Sequence, residues 1–211
     1  MNIPDGLPIL SRGSHDRASG KACIMNAISY LKGNINITDA PDCVASIIRY
    51  AFITVNDRIC FPGAESLCPQ CSHLLWLKGI GTIGTAEGWA TLNEGQKQVL
   101  SYRLIHSTVI CNPYLPTSGK NDIMSDVGKL IVEGHNPVGV VETAIDQVTS
   151  RLLLKNDVSH FEMVDRGAWV LETVMQVFES FTHKIEPVEL TPDQFVLVAN
   201  EAKVPVHTNA H

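Results

Sequence analysis

An all-α, single-domain fold is the expectation for this chain, and three observations lead to it. Apolar residues recur at helical rather than alternating spacing almost from end to end. The segments marked this way are bounded by residues that start and stop helices. Hydrophobic residues make up 45% and charged residues 18% of the 211 positions, enough apolar surface for one core to close without disulfides. A bundle of about seven helices over 1–211 follows, with a candidate break at the glycine-rich connection 79–91 and a flexible tail over 203–211.

The elements can be justified in order. Ile24, Ala27, Ile28 and Leu31 stand at i, i+3, i+4 and i+7 within 20–32, and Gly33 supplies a stop. Asp39 and Pro41 open the next segment, whose apolar face is Val44, Ile47, Ile48, Ala51, Phe52 and Val55. A third helix over about 65–78 uses Leu67, Cys71, Leu74, Leu75 and Leu77. Four glycines then mark 79–91 as a flexible connection. From Glu94 to Cys111 the chain is apolar on nearly all sides, with Val99, Tyr102, His106, Val109 and Ile110 on one face. That pattern predicts a helix in the middle of the bundle, ended by Asn112-Pro113. A short helix near 123–133 is followed by one from Asn136-Pro137 to about Leu154, with Val141, Ile145, Val148 and Leu152 inward. Asp157 opens the longest helix, about 158–182, with Phe161, Val164, Ala168, Leu171, Met175 and Phe178 as its apolar positions. Thr191-Pro192-Asp193-Gln194 is a capping box that predicts a last helix of about ten residues.

Charge and patterning exclude some functions. The net charge is −6 and no Lys/Arg stripe is present, so a nucleic-acid duplex is not an expected partner. No run of 18 apolar residues predicts a membrane span. MNIPDGLPIL lacks the basic and apolar regions of a secretory leader, which predicts a cytoplasmic protein with its six cysteines as free thiols.

Candidate chemistry falls in a few places. Cys68-Pro69-Gln70-Cys71 has knuckle spacing, with Cys60 and His73 nearby, so zinc on Cys60, Cys68, Cys71 and His73 is one reading. The plainer reading puts Pro69 in a first helical turn and packs Cys71 as a small hydrophobe, and the chain then carries no cofactor. His106 reads as a satisfied core histidine. Glu142 and Asp146 share a helix face and could meet Glu162 and Asp165 around a divalent metal, but a solvated face is the simpler account. The three tryptophans, Trp76, Trp89 and Trp169, are candidate exposed anchors for a protein partner.

The densest polar cluster is SRGSHDRASGK, at the entrance to the first helix. Gly13 and Ser14 could turn backbone N–H groups toward an anion. Arg17 and Lys21 would neutralise a phosphate beside a helix N-terminus. His15, Asn26 and Tyr30 would contact the rest of a nucleotide-like ligand. The plain alternative is a solvated loop with Ser19 as N-cap.

The order Gly13, His15, Gly20, Cys23, Met25, Tyr30, Gly33, Asp39, Pro41, Cys43 and Asn56-Asp57 resembles the start of a family of phage and actinobacterial proteins. Members share Gly-x-His, Cys-x-Met-Glu and Asp-x-Pro-x-Cys elements. The resemblance covers about residues 11–60, and Asn26 stands where the family has Glu. It implies a phage or mobile-element setting and no particular reaction. The expectation is then an accessory protein that binds or sequesters a small phosphate-bearing ligand, to counter host defence signalling. Alternatives are a phosphodiester hydrolase using His15 and Asp16, and a helical module that masks a host protein. A homodimer is also expected from the apolar composition.

Overall fold

The computed structural model describes residues 9–13, 21–33, 37–61, 63–154 and 158–182, and among these every regular element is helical. Eight α-helices follow in order: α1 Ile24–Leu31, α2 Ser46–Asn56, α3 Pro69–Gly79, α4 Thr85–Ala90, α5 Glu94–Ile105, α6 Thr117–Val132, α7 Pro137–Leu153 and α8 His160–Thr182. α7 sits at the centre, packed by α2, α5, α6 and α8, while α1 and α3 close the side formed by α2 and α8. The expected helix at 191–200 and the tail at 203–211 lie outside the described residues.

Sequence and structure agree where a single apolar face is continuous. Ile47, Ile48, Ala51, Phe52 and Val55 of α2 are buried, as are Val141, Ile145, Val148 and Leu152 of α7. Asn136 caps α7 with Pro137 in its first turn, because proline lacks the N–H that a first turn leaves unbonded.

Several expectations change, and α6 is among them, beginning at Thr117 rather than near 123. The connection 79–91 is not a loop: it holds a 3₁₀ turn, Ile80–Thr82, and α4. Gly79 lets α1 and α3 approach closely, since a Cβ there would stand 2.5 Å from the Ile24 side chain. α2 starts at Ser46, after a turn that follows Pro41, rather than directly at Asp39-Pro41. α5 does not run through the middle of the bundle. Leu100, Leu104 and Ile105 are buried, while Val99, Tyr102 and Ile110 are exposed. His106 is exposed as well, at the start of a π-helical turn from His106 to Ile110, so it is not a core histidine.

In α8 the inward face lies one residue earlier than the apolar spacing suggested. Met163, Gly167, Val170, Leu171, Val174 and Phe178 are buried, and Phe161 is 81% exposed. Trp76 is a core residue rather than an exposed anchor. Trp89 stacks on Phe178 and Trp169 meets Tyr114 edge-on, both partly buried against the core.

Candidate metal centre

α2 ends at Asn56 because its last turn closes through Asp57 and Ile59, whose N–H groups reach back to the carbonyls of Ile53 and Val55. The chain then carries Cys60 into a bend and returns to α3. Cys68 is the N-cap of α3, with its sulfur accepting the Cys71 N–H at 3.4 Å and Pro69 in the first turn. The Cys68 N–H in turn donates to the Cys60 sulfur at 3.4 Å. These two backbone N–H contacts fix the positions of the Cys60 and Cys68 sulfurs at the start of α3.

The fourth group comes from far along the chain. His160, the first residue of α8, places Nε2 3.0 Å from the Cys68 sulfur and 3.3 Å from the Cys71 sulfur. The ligand atoms of Cys60, Cys68, Cys71 and His160 all lie within 4.8 Å of one another. A tetrahedral zinc ion with ordinary bond lengths would space its sulfurs about 3.8 Å apart and sulfur from nitrogen about 3.6 Å. The cluster is therefore of the size zinc requires.

His73 is not part of it, which corrects the sequence reading. Two helical residues beyond Cys71 is a rotation of about 200°. With Cys71 fully buried, His73 is turned to solvent. His160 instead lies on the face of α8 that carries Met163, Gly167, Val170 and Val174, at spacings of three and four residues. Gly167 makes the approach feasible: a Cβ there would sit 2.5 Å from the Ile59 side chain.

The surroundings hold the ligands in place. Phe61 stacks on the His160 ring at 5.0 Å between centroids. The Arg12 guanidinium donates to the Cys60 carbonyl at 2.6 Å. The Cys71 thiol donates to the Ile59 carbonyl at 3.2 Å, and burial, followed by its contact with Cys68, pushes its pKa far up. A metal would have to displace that proton.

The described members of the opening stretch have internal partners. The Gly13 N–H donates to the Asp57 carboxylate at 2.8 Å, and Lys21 pairs with Glu65. Asn26 is buried and closes a capping box with Cys23, whose thiol is raised to about 11 by burial. Tyr30 is partly buried against the core. Ser14, His15, Asp16 and Arg17 lie outside the described residues. Ser11 pairs with Ser66, and Arg12 and Leu67 complete the exchange through Glu65 and Leu10, so the opening stretch is laid along the cysteine-bearing segment.

The acidic candidates are engaged elsewhere. Asp146 accepts from Arg58 at 2.7 Å, Glu162 closes the N-cap of α8 with Ser159, and Asp165 accepts from Tyr114. Burial raises the Glu142 carboxyl, opposed by Arg49. Among the described residues, the group of Cys60, Cys68, Cys71 and His160 is where three or more such side chains converge. No protein-family model, curated protein or solved structure matches this chain.

Proposed function

We propose that the chain is a zinc-binding helical protein in which the metal is structural. The observation that carries this reading is the convergence of four ligand atoms, three sulfurs and one imidazole nitrogen, from three separate segments within 4.8 Å. Four protein ligands complete a tetrahedral shell and leave no position for substrate, the pattern of structural rather than catalytic zinc. Bound there, zinc would tie the end of α2, the start of α3 and the start of α8 to one point. The segment after α2 has little regular structure of its own, so this tie would add to the burial of Ile59 and Leu67 in ordering it.

Elemental analysis of purified full-length protein tests the reading, with one zinc per chain expected. Cobalt substitution supplies the second readout: a tetrahedral site with three thiolates gives intense visible absorption and thiolate-to-cobalt charge transfer. A metal-free protein that also fails to take up cobalt would overturn it.

A second reading keeps the small phosphate-bearing ligand for the stretch from Gly13 to Lys21. What supports it is the way both ends of that stretch are fastened. Residues 10–13 are bonded to Asp57, Glu65 and Leu67, and the start of α1 is held by the Asn56 side chain at Ile24 N–H. The Gly13 N–H and the Lys21 ammonium would have to exchange Asp57 and Glu65 for such an anion. Calorimetry against nucleotides and cyclic dinucleotides tests this. Unchanged binding in Arg17→Ala and Lys21→Ala would remove it, and turnover of a bound phosphodiester would favour the hydrolase built on His15 and Asp16.

A further inference from the structure

Resting on the zinc reading above, we propose that the centre is a hydroperoxide-responsive switch, in which Cys68 and Cys71 form a disulfide and zinc is released. Three features of the cluster point to this pair. Cys68 is the half-buried sulfur of the three, whereas Cys60 and Cys71 are almost fully covered, so an oxidant reaches Cys68 first. Cys68 is the N-cap of α3 and Cys71 stands three residues on in its first turn, with the Cys71 N–H already directed at the Cys68 sulfur. This is the Cys-x-x-Cys arrangement at a helix N-terminus that thiol–disulfide chemistry uses, and the Cα separation it sets, about 5 Å, lies within the range a disulfide spans.

The chemistry balances as follows. The Cys68 thiolate attacks a hydroperoxide: a sulfur–oxygen bond forms, the oxygen–oxygen bond breaks, and the leaving alkoxide or hydroxide takes up a proton. The Cys71 thiolate then attacks the Cys68 sulfenic sulfur. A sulfur–sulfur bond forms, and hydroxide leaves to become water with a second proton. Two electrons pass from the two sulfurs to the peroxide, and zinc keeps its charge throughout. With two of its four ligands consumed, the metal retains only Cys60 and His160 and leaves. A dithiol reductant reverses the step and restores the site.

The consequence is local. His160 loses its metal bond, and the first turn of α8 is then held by the Phe61 stack on the His160 ring, by its Ser159–Glu162 cap and by packing from Met163 onward. Cys111, the exposed cysteine, sits at the end of the π-helical turn near His106, away from the cluster, and serves as an internal control.

Zinc-loaded full-length protein is treated with hydrogen peroxide, a chromogenic chelator reports free zinc, and peptide mapping locates the disulfide. The expected result is one zinc released per Cys68–Cys71 disulfide, reversal by dithiothreitol with added zinc, and unchanged release in Cys111→Ser. Zinc retained while peroxide oxidises Cys111 overturns the switch and leaves the zinc reading standing. Zinc release with the disulfide mapped to another pair also overturns it. Absence of zinc before peroxide is added overturns the metal reading, and the switch with it.

Discussion

His160 and Cys68 stand 92 positions apart in sequence, yet the imidazole Nε2 lies 3.0 Å from the sulfur. That contact joins the start of α8 to the start of α3, and it sets the first prediction. His160→Ala removes a metal ligand and should weaken zinc or cobalt binding by more than about 100-fold, beyond the loss expected for disturbing a neighbour of the ligands. His73→Ala, on the solvent side of α3, should leave affinity unchanged. Competition titration with a chromogenic chelator measures both. Equal effects from the two variants would mean that His160 is not the fourth ligand.

How much of this was legible in the sequence turns on the phase of α8. Of the expected apolar stripe Phe161, Val164, Ala168, Leu171, Met175 and Phe178, Leu171 and Phe178 are buried, but the rest of the buried face runs through Met163, Gly167, Val170 and Val174. Large side chains weigh more than glycine in such a pattern, so Phe161 drew the stripe one residue late. The correct phase places His160 at its head, three residues before Met163. The three cysteines were readable from spacing, whereas the fourth ligand required knowing which helix returns to α3. The connection 79–91 misled for a related reason: Gly79 answers to the Ile24 side chain, a partner 55 positions away that no local pattern reveals.

Removing the metal should cost stability in proportion to how tightly it binds the folded chain alone. With free zinc about 1,000-fold above its Kd, the linkage contribution is about 4 kcal/mol. For a chain of this size that corresponds to a fall in Tm of roughly 8–16 °C when a chelator strips the site. Differential scanning fluorimetry with and without chelator reads it. His160→Ala should melt near the chelated value and be insensitive to chelator.

Zinc affinity should rise with pH, and Cys71 fixes the sign. Burial keeps its thiol protonated in the metal-free fold well beyond neutral pH. Metal binding expels that proton, so each unit of increasing pH favours binding by about tenfold for this one proton. Because the thiol pKa is raised, the dependence persists through neutrality without levelling off. Cobalt titrations at pH 6, 7 and 8 test this, and an affinity independent of pH would contradict it.

Two glycine-to-alanine substitutions should move stability in opposite directions. Gly167→Ala puts a methyl 2.5 Å from Ile59, in a contact that sets α8 against the cysteine-bearing segment. Overpacking of that kind typically costs about 1–3 kcal/mol, and it should weaken zinc binding as well by displacing His160. Gly128, within α6, has nothing within 4 Å of a built Cβ. Gly128→Ala should stabilise by about 0.5–1 kcal/mol, through better helix propensity and a less flexible unfolded chain. Urea denaturation separates the two, and destabilisation by both would show that the space around Gly128 is not free.

Asn56 links the opening stretch to the helical core. Its side-chain oxygen accepts from the Ile24 N–H at 3.3 Å, and its amide donates to the Ser11 carbonyl at 2.9 Å and to Asp57 at 3.1 Å. The residue is fully buried at the end of α2, so no water stands ready to replace these bonds. Asn56→Asp keeps the shape and the acceptor but removes the donor toward Ser11. It also buries a second carboxylate beside Asp57, which already accepts from Gly13. The expected loss is about 1–3 kcal/mol for the unsatisfied Ser11 carbonyl, with more from the like charges as pH rises above the carboxylate range. Stability of Asn56→Asp should therefore recover partly on acidification from pH 7 to pH 5, relative to the unsubstituted chain. Asn56→Ala loses the donor and also the acceptor for the Ile24 N–H, without adding a charge, so its stability deficit should be flat over that interval. A deficit in Asn56→Asp that is equally flat would show that the charge is solvated and that the clasp between Ser11, Ile24 and Asp57 is open to water.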